Sequence, residues 1–156
     1  MTINIPWPRP AGKDRSRSGL ARAVRGRVLR AESAERMRVL SVGGRAIRVA
    51  VREGTPGWPP LLLCNGIGAS LELLQPFVDA LDPRRGVIRF DMPGIGGSLT
   101  PVIPYHLAAS APLLSGLLDQ LGYQQADVLG VSWGGGLAQQ FALRCPARPG
   151  CAAWYW

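Results

Sequence analysis

Along the chain, the spacing of apolar residues switches between two periods. From Arg36, "RMRVLSV" alternates polar and apolar, Gly43-Gly44 interrupts, and "RAIRVAVR" alternates again. Successive strand side chains point to opposite faces, so two such runs around a Gly-Gly pair predict a β-hairpin. The breaker "EGTPGWPP" is followed by "LLLCN", and later by "GVIRFD" and "ADVLGVS". Short, nearly continuous apolar runs predict strands buried on both faces. Between them the period lengthens. Leu71, Leu74, Phe77, Val78 and Leu81 fall on one helical stripe, with Pro76 expected to kink it. Leu107, Ala111, Leu114, Leu118 and Leu121 form a second stripe, with Pro112 near the start of its regular part. "WGGGLAQQFALR" reads as a third helix despite its glycines.

A hairpin followed by strand–helix three times predicts an α/β fold. The expected sheet is mostly parallel, has about five strands with the first two a hairpin, and carries helices on both faces. This domain is expected over residues 36–148. Residues 1–35 mix Pro, Arg, Ser and Gly with weak periodicity and carry eight basic and three acidic side chains, so +5 of the net +8 resides there. They are expected to form a disordered, solvated arm. Lys13 is the one lysine among the 18 basic residues. Such a bias, with abundant Ala, Gly and Pro, reflects coding composition, and no nucleic-acid partner is expected. No apolar run approaches the roughly 18 residues of a membrane span, and the N-terminus shows no secretory signal pattern. A cytoplasmic location is the expectation. Three cysteines make neither a zinc spacing nor a disulfide framework. Cys64, inside an apolar run, should pack as a small hydrophobe. No metal or cofactor is expected.

The chemistry concentrates in "DVLGVSWGGGLAQQF". Gly130-Val131-Ser132-Trp133-Gly134 is a GxSxG string between a predicted strand and a predicted helix, the context in which such a serine is a nucleophile. The turn must be sharp to lift the Ser132 hydroxyl above the sheet, which strains the serine backbone. Side chains at 130 and 134 would strike the neighbouring strand and helix. Gly135 and Gly136 are expected to bring the helix close to the sheet, against a helix propensity about 1 kcal/mol worse than alanine each. A plain connecting loop is the plainer reading of the string; a phosphate loop lacks its GxGxxG or Walker lysine. A second string, "CNGIGAS", follows the third predicted strand. An acyl-transfer oxyanion needs two backbone N–H donors. Trp133, after the serine, is one candidate and Ile67 the other, with Gly66 and Gly68 letting the loop bend toward Ser132.

"LLLCNGIGAS", "RFDMPGIGGS" and "LGVSWGGGLAQQFA", in that order, resemble an α/β-hydrolase. More narrowly they resemble the intracellular medium-chain-length polyhydroxyalkanoate depolymerases, over roughly residues 36–148. The resemblance implies hydrolysis of ester bonds in a stored 3-hydroxyalkanoate polyester at a granule surface. It implies Ser132 as nucleophile, with Ile67 and Trp133 at the oxyanion-hole positions. A lactonase, a small-ester hydrolase or a non-catalytic product are the alternatives.

The pattern breaks after the serine. In this fold the acid and the histidine follow it, yet the 24 residues after Ser132 contain no Asp, Glu or His. His106 precedes it, at a predicted loop–helix junction. Asp91 and Asp119 also precede it, and Asp91 is expected to brace the "MPGIGGS" turn. The ending "CPARPGCAAWYW" is out of pattern, and residues 149–156 are expected to be an aberrant tail. A reading-frame shift near codons 148–150 would permit Leu-Arg-Arg-Leu-Val-Leu, a sixth apolar strand. As written, the chain is expected to be an incomplete, inactive hydrolase whose "ADVLGVS" strand is an exposed, aggregation-prone edge.

Overall fold

The computed structural model describes residues 35–100, 107–144 and the backbone of 153–155. The proposed basic arm, His106, Cys145 and Cys151 lie outside the described residues. The strands are β1 (Arg36–Val42), β2 (Arg45–Arg52), β3 (Leu61–Cys64), β4 (Val87–Phe90), β5 (Asp127–Gly130) and β6 (Ala153–Tyr155). The helices are α1 (Gln75–Ala80), α2 (Leu107–Leu121) and α3 (Trp133–Arg144). One sheet runs in the order β1-β2-β4-β3-β5-β6. The β1–β2 and β2–β4 pairs are antiparallel. The β4–β3, β3–β5 and β5–β6 pairs are parallel. The five expected strands are all present, hairpin included.

Alternation along the central strands sorts the core onto two faces. Leu62 and Cys64 of β3, Ile88 and Phe90 of β4 and Val128 of β5 pack with Leu114 and Leu118 of α2 and Leu137 and Phe141 of α3. Leu61, Leu63 and Val87 face the other way and pack with Val78 of α1. Each fully buried leucine contributes on the order of 2 kcal/mol. The second face also buries Arg89, whose guanidinium donates to the Leu71 carbonyl at 2.9 Å and the Gln75 Oε1 at 2.6 Å and pairs with Glu35.

Three expectations change. The stripe at 71–81 is not one kinked helix: a 3₁₀ turn (Leu71–Leu74) leads into α1, and Pro76 sits in the first turn of α1. There its missing N–H has no intrahelical acceptor to lose, so it starts the helix. Phe77 is exposed. Pro112 lies inside α2 rather than near its start. Nor is β5 the open edge: Val128, Leu129 and Gly130 pair with Ala153, Trp154 and Tyr155 of β6. A bare parallel strand presents unpaired N–H and C=O groups, and an aromatic segment with good strand propensity can use them. No helix among the described residues is long and apolar enough to cross a membrane.

Candidate active site

The C-terminal ends of β3, β4 and β5 meet at one rim of the sheet, and each continues into a glycine-bearing turn. At the end of β5, the Val131 N–H still donates to the Cys64 carbonyl at 3.0 Å, so the β3–β5 ladder runs to the residue before the serine. The chain then reverses into α3. Gly134 N–H donates to Val131 O and Gly135 N–H to Ser132 O, both at 2.9 Å. Ser132 has φ 55°, the one non-glycine residue with positive φ among the described residues. That conformation costs a serine about 1–3 kcal/mol and recurs at functional sites. Its side chain is exposed.

The flanking glycines carry unequal demands. A Cβ on Gly130 would lie 2.2 Å from the Gly134 carbonyl oxygen, and one on Gly134 would lie 2.0 Å from the Cys64 carbonyl oxygen. Both clashes are with backbone, which cannot step aside. A Cβ on Gly135 would meet the Gly130 oxygen at 3.5 Å, an ordinary contact. The close approach of α3 to the sheet therefore depends on Gly134.

Ile67 and Trp133 flank the serine from two loops. Trp133 is the first residue of α3, so its N–H has no acceptor within the helix. The loop after β3 is closed by the Ala69 N–H donating to Gly66 O at 3.2 Å, with Gly68 at φ 74°. A positive φ at the third residue of a four-residue turn favours glycine. Gly68 therefore makes the bend. Gly66 contributes proximity instead: its Cβ position lies 3.6 Å from the Ser132 Cβ. Ile67 stands at the tip of this turn, 80% exposed. Gly66, Ile67, Gly68, Met92, Ile95 and Trp133 enclose a hollow of about 40 Å³ beside the serine.

Two polar anchors fix the loop's far end. Asn65 is buried and donates from Nδ2 to Ser70 O at 2.8 Å, while its Oδ1 has no partner among the described residues. Asp91 is fully buried at the end of β4. It accepts from the Leu71 N–H at 2.7 Å, the Gly97 N–H at 2.8 Å and the Arg48 guanidinium at 3.0 Å. Its carbonyl accepts from Ser98 Oγ at 2.8 Å, and that hydroxyl accepts from the Arg48 N–H at 2.9 Å. Asp91 thus braces the "MPGIGGS" turn, and also the start of the 3₁₀ turn. Arg48 further pairs with Glu72. Sequence reasoning missed Asn65 and Arg48; their partners lie too far along the chain, or within an irregular loop, for any periodicity to mark.

Cys64 lies beneath the elbow, fully buried, and burial pushes its thiol up to about 12. It is a packing residue, not a competing nucleophile. Asp119 sits near the end of α2, where its carbonyl accepts from the Gly122 N–H at 3.1 Å, on the approach to the start of β5 rather than at its end. No group of three or more His, Cys, Asp or Glu residues is arranged to hold a metal among the described residues. The rim thus holds an exposed hydroxyl on a strained turn, a free helix-start N–H and an adjacent glycine loop. Those are parts for attack on a carbonyl and for receiving the resulting oxyanion.

The alpha/beta hydrolase fold family matches residues 59–148. The chain is 54% identical over 111 residues to a poly(3-hydroxyalkanoate) depolymerase of Ectopseudomonas oleovorans, a match covering 71% of this chain and 39% of that protein. It is 34% identical over 90 residues to 3-oxoadipate enol-lactonase 2 of Acinetobacter baylyi, covering 58% of this chain and 34% of the other. Among solved structures, it is similar to epoxide hydrolase A from Mycobacterium thermoresistibile, with TM-score 0.70 and 27% identity over 78% of this chain and 39% of that one. It is also similar to a hydrolase from Pseudomonas aeruginosa PA01, with TM-score 0.66 and 34% identity over 72% and 42% of the two chains. The chain spans 39% or less of the length of these two curated relatives. A family match over more than half the chain, together with the parallel sheet and the strained serine before α3, makes this protein a member of the α/β hydrolase fold family.

Proposed function

We propose that Ser132 is the nucleophile of an ester hydrolase, and that the ester belongs to a poly(3-hydroxyalkanoate). The positive φ of Ser132, between two glycines that the backbone leaves no room to replace, carries the reading. The 54% identity to a poly(3-hydroxyalkanoate) depolymerase supports the substrate class. In the reaction, Ser132 Oγ attacks the ester carbonyl while a base takes its proton. The Ile67 and Trp133 N–H groups donate to the oxyanion, and collapse of the tetrahedral intermediate expels the alcohol. Water then releases the 3-hydroxyacid and restores the serine. Gly66, Gly68, Gly130 and Gly134 shape the two turns. Residues 36–148 are the hydrolase portion, and the setting is the cytoplasmic surface of a storage granule.

The base and its orienting carboxylate are not among residues 133–156, which hold no Asp, Glu or His. The 156-residue polypeptide assayed by itself is therefore expected to turn esters over about 10⁴-fold or more below a completed site. The test joins residues 1–148 to the part of the Ectopseudomonas oleovorans depolymerase that follows its matched segment. The chimera should hydrolyse medium-chain polyester and lose that activity with Ser132→Ala. A folded chimera that is inactive on every ester overturns the reading. The lactonase similarity sustains one alternative, and turnover of a lactone in preference to the polyester selects it.

A further inference from the structure

The hollow beside Ser132 opens outward into a larger feature. At about 40 Å³ it holds little more than the reacting carbonyl. Its walls Ile67 and Gly68 are shared with a groove of about 590 Å³ that continues along Ala69, Ser70, Glu72 and Leu73. That volume lies within the roughly 300–1,000 Å³ of small-molecule sites. The two long walls differ. One presents Ile67, 80% exposed, and Leu73, 67% exposed. The other presents Ser70 and the Glu72 carboxylate, the latter paired with Arg48. Phe77, one helical turn beyond Leu73, extends the apolar side and is also exposed.

We infer that this groove seats a second monomer unit of the substrate, with its alkyl branch on Ile67 and Leu73 and its ester oxygens along Ser70 and Glu72. The inference rests on the reading of Ser132 as the nucleophile of a hydroxyalkanoate ester hydrolase. A chain that repeats an ester and an alkyl branch has one polar and one apolar side, which is the division of the groove. A simple alkyl ester with one acyl chain would leave the polar wall unmatched. Continuity with the hollow sets the order: the scissile carbonyl stands at Gly66 and Trp133, and the neighbouring unit follows the loop toward Leu73. Glu72 also offers an acceptor for a chain-end hydroxyl.

Binding tests the groove without needing a base. Titration calorimetry on the 156-residue chain compares methyl 3-hydroxyoctanoate with the methyl ester of its linear dimer. The dimer should bind at least about tenfold tighter, the gain expected when two or more methylenes leave water. Leu73→Ser should reduce that gain to less than threefold and leave monomer affinity unchanged; Leu73→Met should keep the gain. Leu73 is exposed, so neither change disturbs the core. Equal affinities for monomer and dimer overturn the inference, as does a gain indifferent to Leu73→Ser. A groove occupied by another segment of the chain gives equal affinities and overturns it in the same way. Fluorophosphonate treatment of the chimera, read by mass spectrometry, reports on Ser132 separately. Modified Ser132 without a dimer gain ends the groove and leaves the hydrolase. A Leu73-dependent gain with Ser132 unmodified does the reverse.

Discussion

The turn after β4 and the turn after β5 emerge at the same rim, both rich in glycine, and they are held by different means. In the β4 turn the glycines make room for side chains. A Cβ on Gly96 would lie 2.3 Å from Asp91 Oδ2, and one on Gly97 would lie 2.3 Å from Arg48 Cδ. The carboxylate thereby reaches backbone N–H groups on both sides and is left fully buried. In the β5 turn the glycines make room for backbone, at Gly134 O and Cys64 O. Main chain packs against main chain, and the one polar side chain at the apex, Ser132, is exposed. A buried brace satisfies its polar groups internally and so can do no chemistry. The elbow leaves its hydroxyl and the Trp133 N–H unengaged, and accepts backbone strain in doing so.

The largest expected effect comes from closing the backbone approach. Gly134→Ala should destabilise by at least about 3 kcal/mol, because neither the Cys64 carbonyl nor α3 can move without parting α3 from the sheet. Gly135→Ala, one residue on, should be neutral or stabilise by up to about 1 kcal/mol, since its Cβ has room. Urea unfolding of the two variants checks the pair, and equal losses would contradict the assignment of close approach to Gly134.

Next comes the brace. Asp91→Ala leaves the Leu71 and Gly97 N–H groups and the Arg48 guanidinium without their carboxylate, at about 3 kcal/mol. Amide hydrogen exchange should accelerate at Leu71 and Gly97 before it does at Val131. If exchange at Val131 rises equally, the two turns are one unit and the contrast fails.

Strain at the apex makes a smaller effect of the opposite sign. Ser132→Gly should stabilise by about 1 kcal/mol, since glycine accepts φ 55° without penalty. It should also abolish ester turnover in the chimera. A destabilised Ser132→Gly would show that the serine rests there unstrained.

The smallest effect concerns Cys64. Its thiol is held protonated by burial, up to about 12, against an ordinary value of 9.0. Folding is favoured fully below pH 9, where both states hold the proton. That contribution declines as the pH rises above 9, because the unfolded thiol ionises first. In the native state Cys64 should resist alkylation at pH 8 over hours, and become reactive only under denaturing conditions. Rapid native alkylation would contradict its position under the elbow.

The elbow was legible in the sequence because its demands are local: Gly130, Ser132 and Gly134 are tied by covalent spacing to one strand end and one helix start. The strands were legible for a similar reason, since "LLLC" and "VIRF" carry their burial in composition. Pro76 misled because a proline in a helical stripe reads the same whether it breaks a helix or starts one, and the answer lay in the 3₁₀ turn before it. Arg48 and Asp91, 43 residues apart, meet only through the β2–β4 pairing, which no local period reveals. Strand β6 was missed because "AWY" is too short to announce itself, and its pairing depends on the free side of β5.

The central claim is that the acyl group passes through Ser132. The direct measurement is mass spectrometry of the chimera, acid-quenched during turnover of a medium-chain p-nitrophenyl ester. An acyl adduct should appear on Ser132, in the peptide that spans β5 and α3, and it should vanish with Ser132→Ala along with the activity. An adduct on another residue, or undiminished turnover by Ser132→Ala, would contradict the account.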